Sequence, residues 1–110
     1  MAAVDLTAPA TLPFISRPTL ATTATQINLP TNHGTLLVTV TINGAAGSIS
    51  FDPSGTDGGT QPSAKEALLQ DVHYTYTIPP TSMGGVTKFF VAAAAGTPTA
   101  SIQVTRYTLT

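Results

Sequence analysis

Alternating apolar and polar positions in the middle of the chain predict a β-hairpin between residues 35 and 52. Every second residue from 36 to 42 is apolar, the period of a half-buried strand. Asn43-Gly44 follows, and both residue types accept the positive φ of a type I′ turn. Pairing across that turn places Ile49 and Phe51 on the apolar face, whereas a shift by one residue would turn both outward. The apolar set is Leu36, Val38, Val40 and Ile42.

A second hairpin is predicted around Gly96-Thr97, which suits a type II′ turn. Its apolar face is assigned to the core and carries Phe89, Val91, Ala93, Ala100, Ile102 and Val104. With Phe89 inward, we expect Phe90, Tyr107 and Leu109 on the outward face. Several apolar rings on one outward face are typical of a contact patch. Coverage of that face by the N-terminal segment of the same chain is the alternative.

Shorter segments complete the predicted set of strands. Residues 24–29 predict a strand with Ile27 and Leu29 inward. Alternation from Val72 to Ile78 predicts another strand, which Pro79-Pro80 ends. Ser63 and Glu66 match a helix-capping box, which favours a helical turn over 63–69. A short edge strand through Leu68 and Leu69 is the alternative there.

Residues 1–24 have two interpretations. Pro9, Pro13 and Pro18 exclude a helix and keep the backbone extended. The segment is also too apolar for an ordinary solvated tail. It is either an irregular edge strand, where proline is tolerated, or an extended arm laid on a neighbouring subunit.

These elements predict one all-β domain. Six or seven strands, separated by turn signals every 8 to 12 residues and without a βαβ pattern, indicate an antiparallel β-sandwich over 25–110. A jelly roll and an immunoglobulin-like Greek key both fit the strand spacing.

Composition changes the picture mainly through charge. Only 8% of the residues are charged, against about 25% in an average soluble domain, while threonine contributes 21 of 110 residues. Because the centres of protein interfaces are depleted in charge, we expect other protein to cover much of this surface. A secreted or cell-surface β-domain with an uncharged polar surface is the alternative.

Several classes of partner and compartment are disfavoured. The net charge is −1 and the four basic residues are scattered, so no nucleic-acid surface is expected. The N-terminal stretch resembles no signal peptide, and no apolar run approaches the ~20 residues of a membrane helix. The chain has no cysteine and therefore no disulfide.

The titratable side chains predict no enzyme and no cofactor. His33 lies in an Asn-His-Gly turn and is expected to be exposed. His73, two positions from Asp71, would be a thin basis for a catalytic triad, and nothing places Glu66 near a second carboxylate. The loop from Asp52 to Asp57 lacks the ligand spacing of a calcium loop, and Asx-turns explain its aspartates, so no metal is expected.

Sugar binding is the second functional hypothesis. Small carbohydrate modules stack sugar rings on exposed aromatic side chains. This chain has no tryptophan, and its tyrosines (Tyr74, Tyr76 and Tyr107) mostly alternate into or near the predicted core.

The segment EALLQDVHYTYTIPP, followed by VTKFFVAAAAGTPTASIQVTRY, resembles the C-terminal half of small virion proteins of tailed bacteriophages. The whole chain is similar in style to capsid decoration (cement) proteins, which are short, cysteine-free β-domains with a proline-bearing N-terminal arm. The resemblance implies a non-catalytic subunit, often a trimer, that sits on the capsid surface and bridges capsomers. Its partners would be its own copies and a larger capsid protein. A head–tail or tail-fibre component is a further alternative.

The residues expected to make these protein contacts belong to the arm and to the outward face of the second hairpin. They are Phe14, Ile15, Leu20, Phe90, Tyr107 and Leu109.

Overall fold

The computed structural model describes residues 3–5, 14–51 and 66–106. Nine strands and one short 3₁₀ turn, Thr81–Met83, occur in these ranges. The strands are β1 Ala3–Asp5, β2 Phe14–Ser16, β3 Thr25–Asn28, β4 Leu36–Asn43, β5 Gly47–Ser50, β6 Glu66–Leu68, β7 Tyr74–Ile78, β8 Lys88–Ala93 and β9 Thr99–Arg106.

The strands form two packed sheets with the order of a jelly roll. A five-stranded sheet has the order β1-β3-β8-β5-β6, and a four-stranded sheet has the order β2-β9-β4-β7. Antiparallel pairs nest as in one long hairpin, with β2 on β9, β3 on β8, β4 on β7 and β5 on β6. Rolling that hairpin over itself adds the pairs β4 with β9 and β5 with β8. The predicted antiparallel sandwich is confirmed, and the jelly roll is the strand order observed.

The core lies between the sheets and is built from the alternate residues that the pattern assigned to it. Val38, Val40 and Ile42 of β4 are fully buried, as are Phe89 and Val91 of β8. Ala100 and Ile102 of β9 and Ile27 and Leu29 at β3 belong to the same cluster. Fully burying one such large apolar side chain contributes about 1.5–3 kcal/mol, which makes this layer the main source of stability.

Both predicted hairpins are wrong, although their inward faces are right. β4 and β5 lie in different sheets, and so do β8 and β9. β4 is flanked by β7 and β9, which leaves it no free edge for β5. The chain therefore crosses from one sheet to the other after Asn43 and after Ala93. In such a crossing the apolar residues of the two strands face each other through the core, with the same alternation that a hairpin would show.

Two glycines permit the crossing from β4 to β5. Gly44 has the positive φ expected at that turn, 89°. A Cβ at Gly47 would clash with the carbonyl oxygen of Ala92 and with the side chain of Ile42. A glycine at the start of β5 therefore allows the close approach of backbone that the second sheet requires.

The segment around residue 70 differs from its prediction. Residues 66–68 form strand β6, which pairs with β5 and buries Leu68, so the favoured helical turn is wrong. Residues 63–65 lie outside the described residues. Val72 is exposed and lies before β7, which begins at Tyr74. The preceding residue, Asp71, has a left-handed backbone conformation with φ 59°. The Asp71 amide donates to the carbonyl of Ile42, and its carboxylate accepts from the amide of Gly44.

The described residues of the N-terminal region lie at sheet edges of the same chain. β1 runs parallel to β3 at the edge of the five-stranded sheet, and β2 pairs with β9 at the edge of the four-stranded sheet. The amide of Leu20 donates to the carbonyl of Pro98, and its side chain is buried in the core.

Candidate functional site

The outer face of the four-stranded sheet is a surface of short polar side chains. Alternate residues of β4 and β9 point away from the core there, among them Thr39, Thr41, Ser101 and Gln103. Ile15 of β2 stands beside Gln103 and is 57% exposed. Among the described side chains of this face, Arg17 alone carries a permanent charge.

A groove of about 180 Å³ crosses this face. It is lined by Ile15, Arg17, Thr39, Thr41, His73, Ser101 and Gln103. Arg17 follows β2 at one end, and His73 precedes β7 at the other. The sheet order β2-β9-β4-β7 brings these two side chains to one surface although they lie far apart in the chain, at positions 17 and 73.

One hydrogen bond fixes the imidazole of the groove. The hydroxyl oxygen of Thr41 lies 2.6 Å from Nδ1 of His73. Thr41 is buried, so its hydroxyl is held by the sheet, whereas the ring of His73 is exposed. Nε2 of His73 and the guanidinium of Arg17 have no hydrogen-bond partner among the residues that the structure describes. The groove therefore presents polar groups whose bonding capacity is free for a ligand.

A second feature lies at the open edge between the two sheets. Phe51 and the segments 76–79 and 84–86 line a largely apolar cavity of about 220 Å³. The ring of Phe51 packs at 5.0 Å from that of Tyr76 and at 5.4 Å from that of Phe89. The Tyr76 hydroxyl donates to Oε1 of Glu66 at 3.0 Å. Burial first, then this hydrogen bond and the charge of Glu66, raise the pKa of Tyr76 to about 12.

The outer edge of β7 borders that cavity. β7 pairs with β4 on one side, and no described strand pairs with its other side. Its sequence, Tyr-Thr-Tyr-Thr-Ile, contains neither proline nor a charged residue. Proline and charged residues normally protect a sheet edge from pairing with another chain, and the edge of β7 lacks both.

The predicted contact residues fall into three groups. Ile15 is exposed and Phe14 is half-buried against the core. Leu20 and Phe90 are each 1% exposed in the single chain, so they cannot reach a partner from these positions. Phe90 points away from the core between the sheets, as predicted, but the expectation that it is exposed is wrong, because its ring clusters with Ala24 and Ala92. Tyr107 and Leu109 lie outside the described residues.

The titratable groups singled out from the sequence have structural partners. His33 is buried rather than exposed, and its ring nitrogens lie 2.6 Å and 2.8 Å from the carbonyl oxygens of Gly34 and Val86. These contacts tie the turn before β4 to the segment before β8. The carboxylate of Asp71 accepts from the amide of Gly44 and the side chain of Gln70, while His73 contacts Thr41. Asp71 and His73 thus serve separate contacts.

The described ranges contain neither a metal-binding cluster nor a membrane-spanning helix. No group of three or more histidine, aspartate and glutamate side chains there could hold a metal ion. The loop from Asp52 to Asp57 lies outside those ranges. None of the described segments forms a helix long and apolar enough to cross a membrane.

The groove was missed at the level of sequence. Alternation correctly puts Ser101 and Gln103 on the outer face of β9. Their neighbours Arg17 and His73, however, come from strands that only the sheet order brings alongside. An isolated arginine beside a proline and an isolated histidine beside a strand gave no local signal.

Comparison with known proteins adds no assignment. No family model matches the chain, and neither the curated proteins nor the solved structures include a significant match to it.

Proposed function

We propose that this chain is a non-enzymatic structural protein of a virion, a capsid decoration protein that stabilises a phage head by contacts between proteins. The observation that supports this proposal best is the outer edge of β7, with which no strand of the described ranges pairs. Five consecutive uncharged residues without proline offer backbone donors and acceptors to another strand. Strand addition at such an edge is a common mode of association between proteins.

The surface next to this edge suits the same role. Thr75 and Thr77 are exposed on β7, and the neighbouring face of the four-stranded sheet is almost free of charge. Charged side chains keep monomers apart in solution, and their scarcity over the whole chain, 8%, favours association. Repeated over a symmetric lattice, several small contacts would add to shell stability.

The first experiment tests association at the β7 edge. Light scattering after size-exclusion chromatography should show an oligomer for the unaltered chain, with a trimer as the state that the phage resemblance implies. Thr77→Lys places a charge on the edge and should yield monomers. Thr22→Lys adds the same charge at an exposed position outside the strands and should leave the oligomer intact.

The second experiment tests the location. An antiserum against the purified chain should label the heads of virus particles that contain it. Label at the neck or on fibres would favour the head–tail or tail-fibre alternative. A chain that stays monomeric and is absent from particles would contradict the proposal and favour a carbohydrate-binding or cell-surface module.

A further inference from the structure

The groove on the four-stranded sheet contains both bonded and unbonded polar groups: Ser101 accepts from Asn43 at 3.2 Å, and the hydroxyls of Thr39 and Thr75 lie 3.0 Å apart. On the opposite side of the sandwich, Gln26 donates to Asn28 at 2.6 Å, and Asn28 donates to Asp5 at 2.6 Å. Those side chains satisfy one another. In the groove, the guanidinium of Arg17 and Nε2 of His73 have no partner among the described residues. A ligand that fits this groove would pair with both.

The positive charge of Arg17 favours an anionic ligand in the groove. Arg17 has no carboxylate near it among the described side chains, so its positive charge is uncompensated. A guanidinium offers a planar fork of N–H donors that matches a carboxylate with two parallel hydrogen bonds. The remaining polar wall is uncharged and consists of hydroxyl, amide and imidazole groups, which suit an uncharged polar ligand surface.

The size of the groove favours one small building block of a ligand, such as a single ring. Its volume of about 180 Å³ lies below the roughly 300–1,000 Å³ of sites that enclose drug-sized ligands. One wall is the exposed side chain of Ile15, which can pack against the C–H face of a ring. The groove lies open on the sheet face, so a chain of linked units can run past it.

We propose that this groove binds a carboxylate-bearing sugar unit, a hexuronate, within an acidic polysaccharide. Arg17 pairs with the carboxylate, and His73, Gln103 and Ser101 exchange hydrogen bonds with the ring hydroxyls. Thr41 is a positioning residue, because its buried hydroxyl holds the imidazole in place. This activity is additional to the proposed structural role and does not depend on it.

An acidic peptide is the competing ligand and fits less well. It would satisfy Arg17 through one carboxylate, and its backbone amides could pair with Gln103 and His73. An acidic side chain, however, offers no ring face to pack against Ile15. A sugar unit provides such a face and also a hydroxyl for each of the polar groups.

The test uses the full chain and three oligomers of similar length: an oligogalacturonate, a neutral oligoglucose and an oligoglutamate. Binding is followed by calorimetry and by NMR shifts of backbone amides. We expect oligogalacturonate to bind and to shift amides of β2, β9 and β4 around the groove. Arg17→Gln should weaken its affinity about tenfold or more, because a charge-assisted bidentate contact is lost.

Lys88→Gln is the matched control. Lys88 lies on the outer face of the five-stranded sheet, since it pairs with Asn28 and neighbours the inward Phe89. This variant loses the same charge and should bind as the unaltered chain does. Thr41→Val should weaken binding less than Arg17→Gln and should change the NMR shifts of the His73 ring, which a merely distant stability effect would leave unchanged.

Three results would overturn the proposal. Equal binding of oligoglutamate would mean that the groove recognises a carboxylate and not a sugar. Equal loss of affinity in Arg17→Gln and Lys88→Gln would indicate general charge attraction. Absence of amide shifts at saturating oligogalacturonate would exclude the site. None of these results changes the oligomeric state, which tests the structural role separately.

Discussion

The outer faces of the two sheets differ in how far their outward-pointing side chains are exposed to solvent. On the five-stranded sheet, Ser48, Ser50, Phe90 and Ala92 point away from the core between the sheets, yet all four are buried in the single chain. On the four-stranded sheet, Ile15, Thr75 and Gln103 occupy comparable outward positions and are exposed. The part of the first face around Phe90 thus belongs to the interior of the protein, and the second face is available to a partner.

This difference indicates which surface of a chain with so few charged residues is available for binding. Apolar and small side chains on an outer face indicate further burial, as at Phe90. Exposed polar groups without a described partner, such as the guanidinium of Arg17 and Nε2 of His73, indicate a surface with bonding capacity left for a ligand. The groove belongs to the second kind of surface, and so does the edge of β7 with which no described strand pairs.

Replacing Phe90 tests the comparison with the largest expected effect. Phe90→Ala should lower the free energy of unfolding by about 3 kcal/mol, because a fully buried ring is lost and a cavity remains. Ile15→Ala, at a strand residue 57% exposed on the other sheet, should change it by less than about 0.5 kcal/mol. Urea denaturation measures both values. Similar losses in the two variants would mean that the outer faces are alike.

The inward and outward positions of individual strands could be predicted from the sequence. The alternation of Val38, Val40 and Ile42, and that of Phe89 and Val91, assigned each residue to the correct side of its strand. Sheet membership could not be predicted in this way. A hairpin and a crossing between sheets bury the same alternate residues, and the difference lies in which distant strand occupies the neighbouring edge.

The same limit applies to the candidate site. Phe90 was expected on a contact surface because alternation places it opposite Phe89, and that geometry is correct. Its burial comes with packing against Ala24, which is distant in the sequence, and no local pattern reports such a contact. Conversely, Arg17 and His73 become neighbours of one groove only through the order β2-β9-β4-β7. The capping-box pattern predicted a helical turn at 63–69, but residues 66–68 pair with β5 instead, because this pairing buries Leu68.

Removing the hydroxyl of Thr41 tests how firmly the exposed face is organised. Thr41→Val keeps the shape of the side chain but deletes the 2.6 Å contact with His73. We expect a loss of roughly 0.5–1.5 kcal/mol in the free energy of unfolding, the usual net value of one hydrogen bond. His73→Ala should give a similar loss, and the double variant should lose no more than either single one. Additive losses would show that the two side chains act independently.

The contact between Tyr76 and Glu66 links the two sheets at their edge, since β6 belongs to one sheet and β7 to the other. Burial and the contact with Glu66 raise the pKa of Tyr76 from 10.0 to about 12. The unfolded chain therefore loses this proton at lower pH than the folded chain does. The stabilisation is complete below about pH 10 and is lost as the pH rises towards about 12.

Two variants separate the causes of that shift. Glu66→Gln removes the charge of Glu66 and should lower the pKa of Tyr76 only part of the way to 10.0, because burial remains. Tyr76→Phe should flatten the decline in stability between about pH 10 and 12 relative to the unaltered chain. Ultraviolet titration of tyrosinate and denaturation across this interval measure the two effects. An unchanged titration in Glu66→Gln would show that the carboxylate has no part in the shift.

The smallest effect concerns the hydroxyl pair of Thr39 and Thr75, which face each other across β4 and β7 at 3.0 Å. A double-mutant cycle with Thr39→Val and Thr75→Val should give a coupling energy near the lower end of the roughly 0.2–1 kcal/mol typical of cross-strand pairs. Water competes for both hydroxyls on this exposed face, so the bond adds little beyond what solvent already supplies. A coupling well above 1 kcal/mol would require a shielded pair and would place this face in the same class as the buried surface around Phe90. A small coupling would show that these hydroxyls exchange their mutual bond for water, or for a bound partner, at almost no cost.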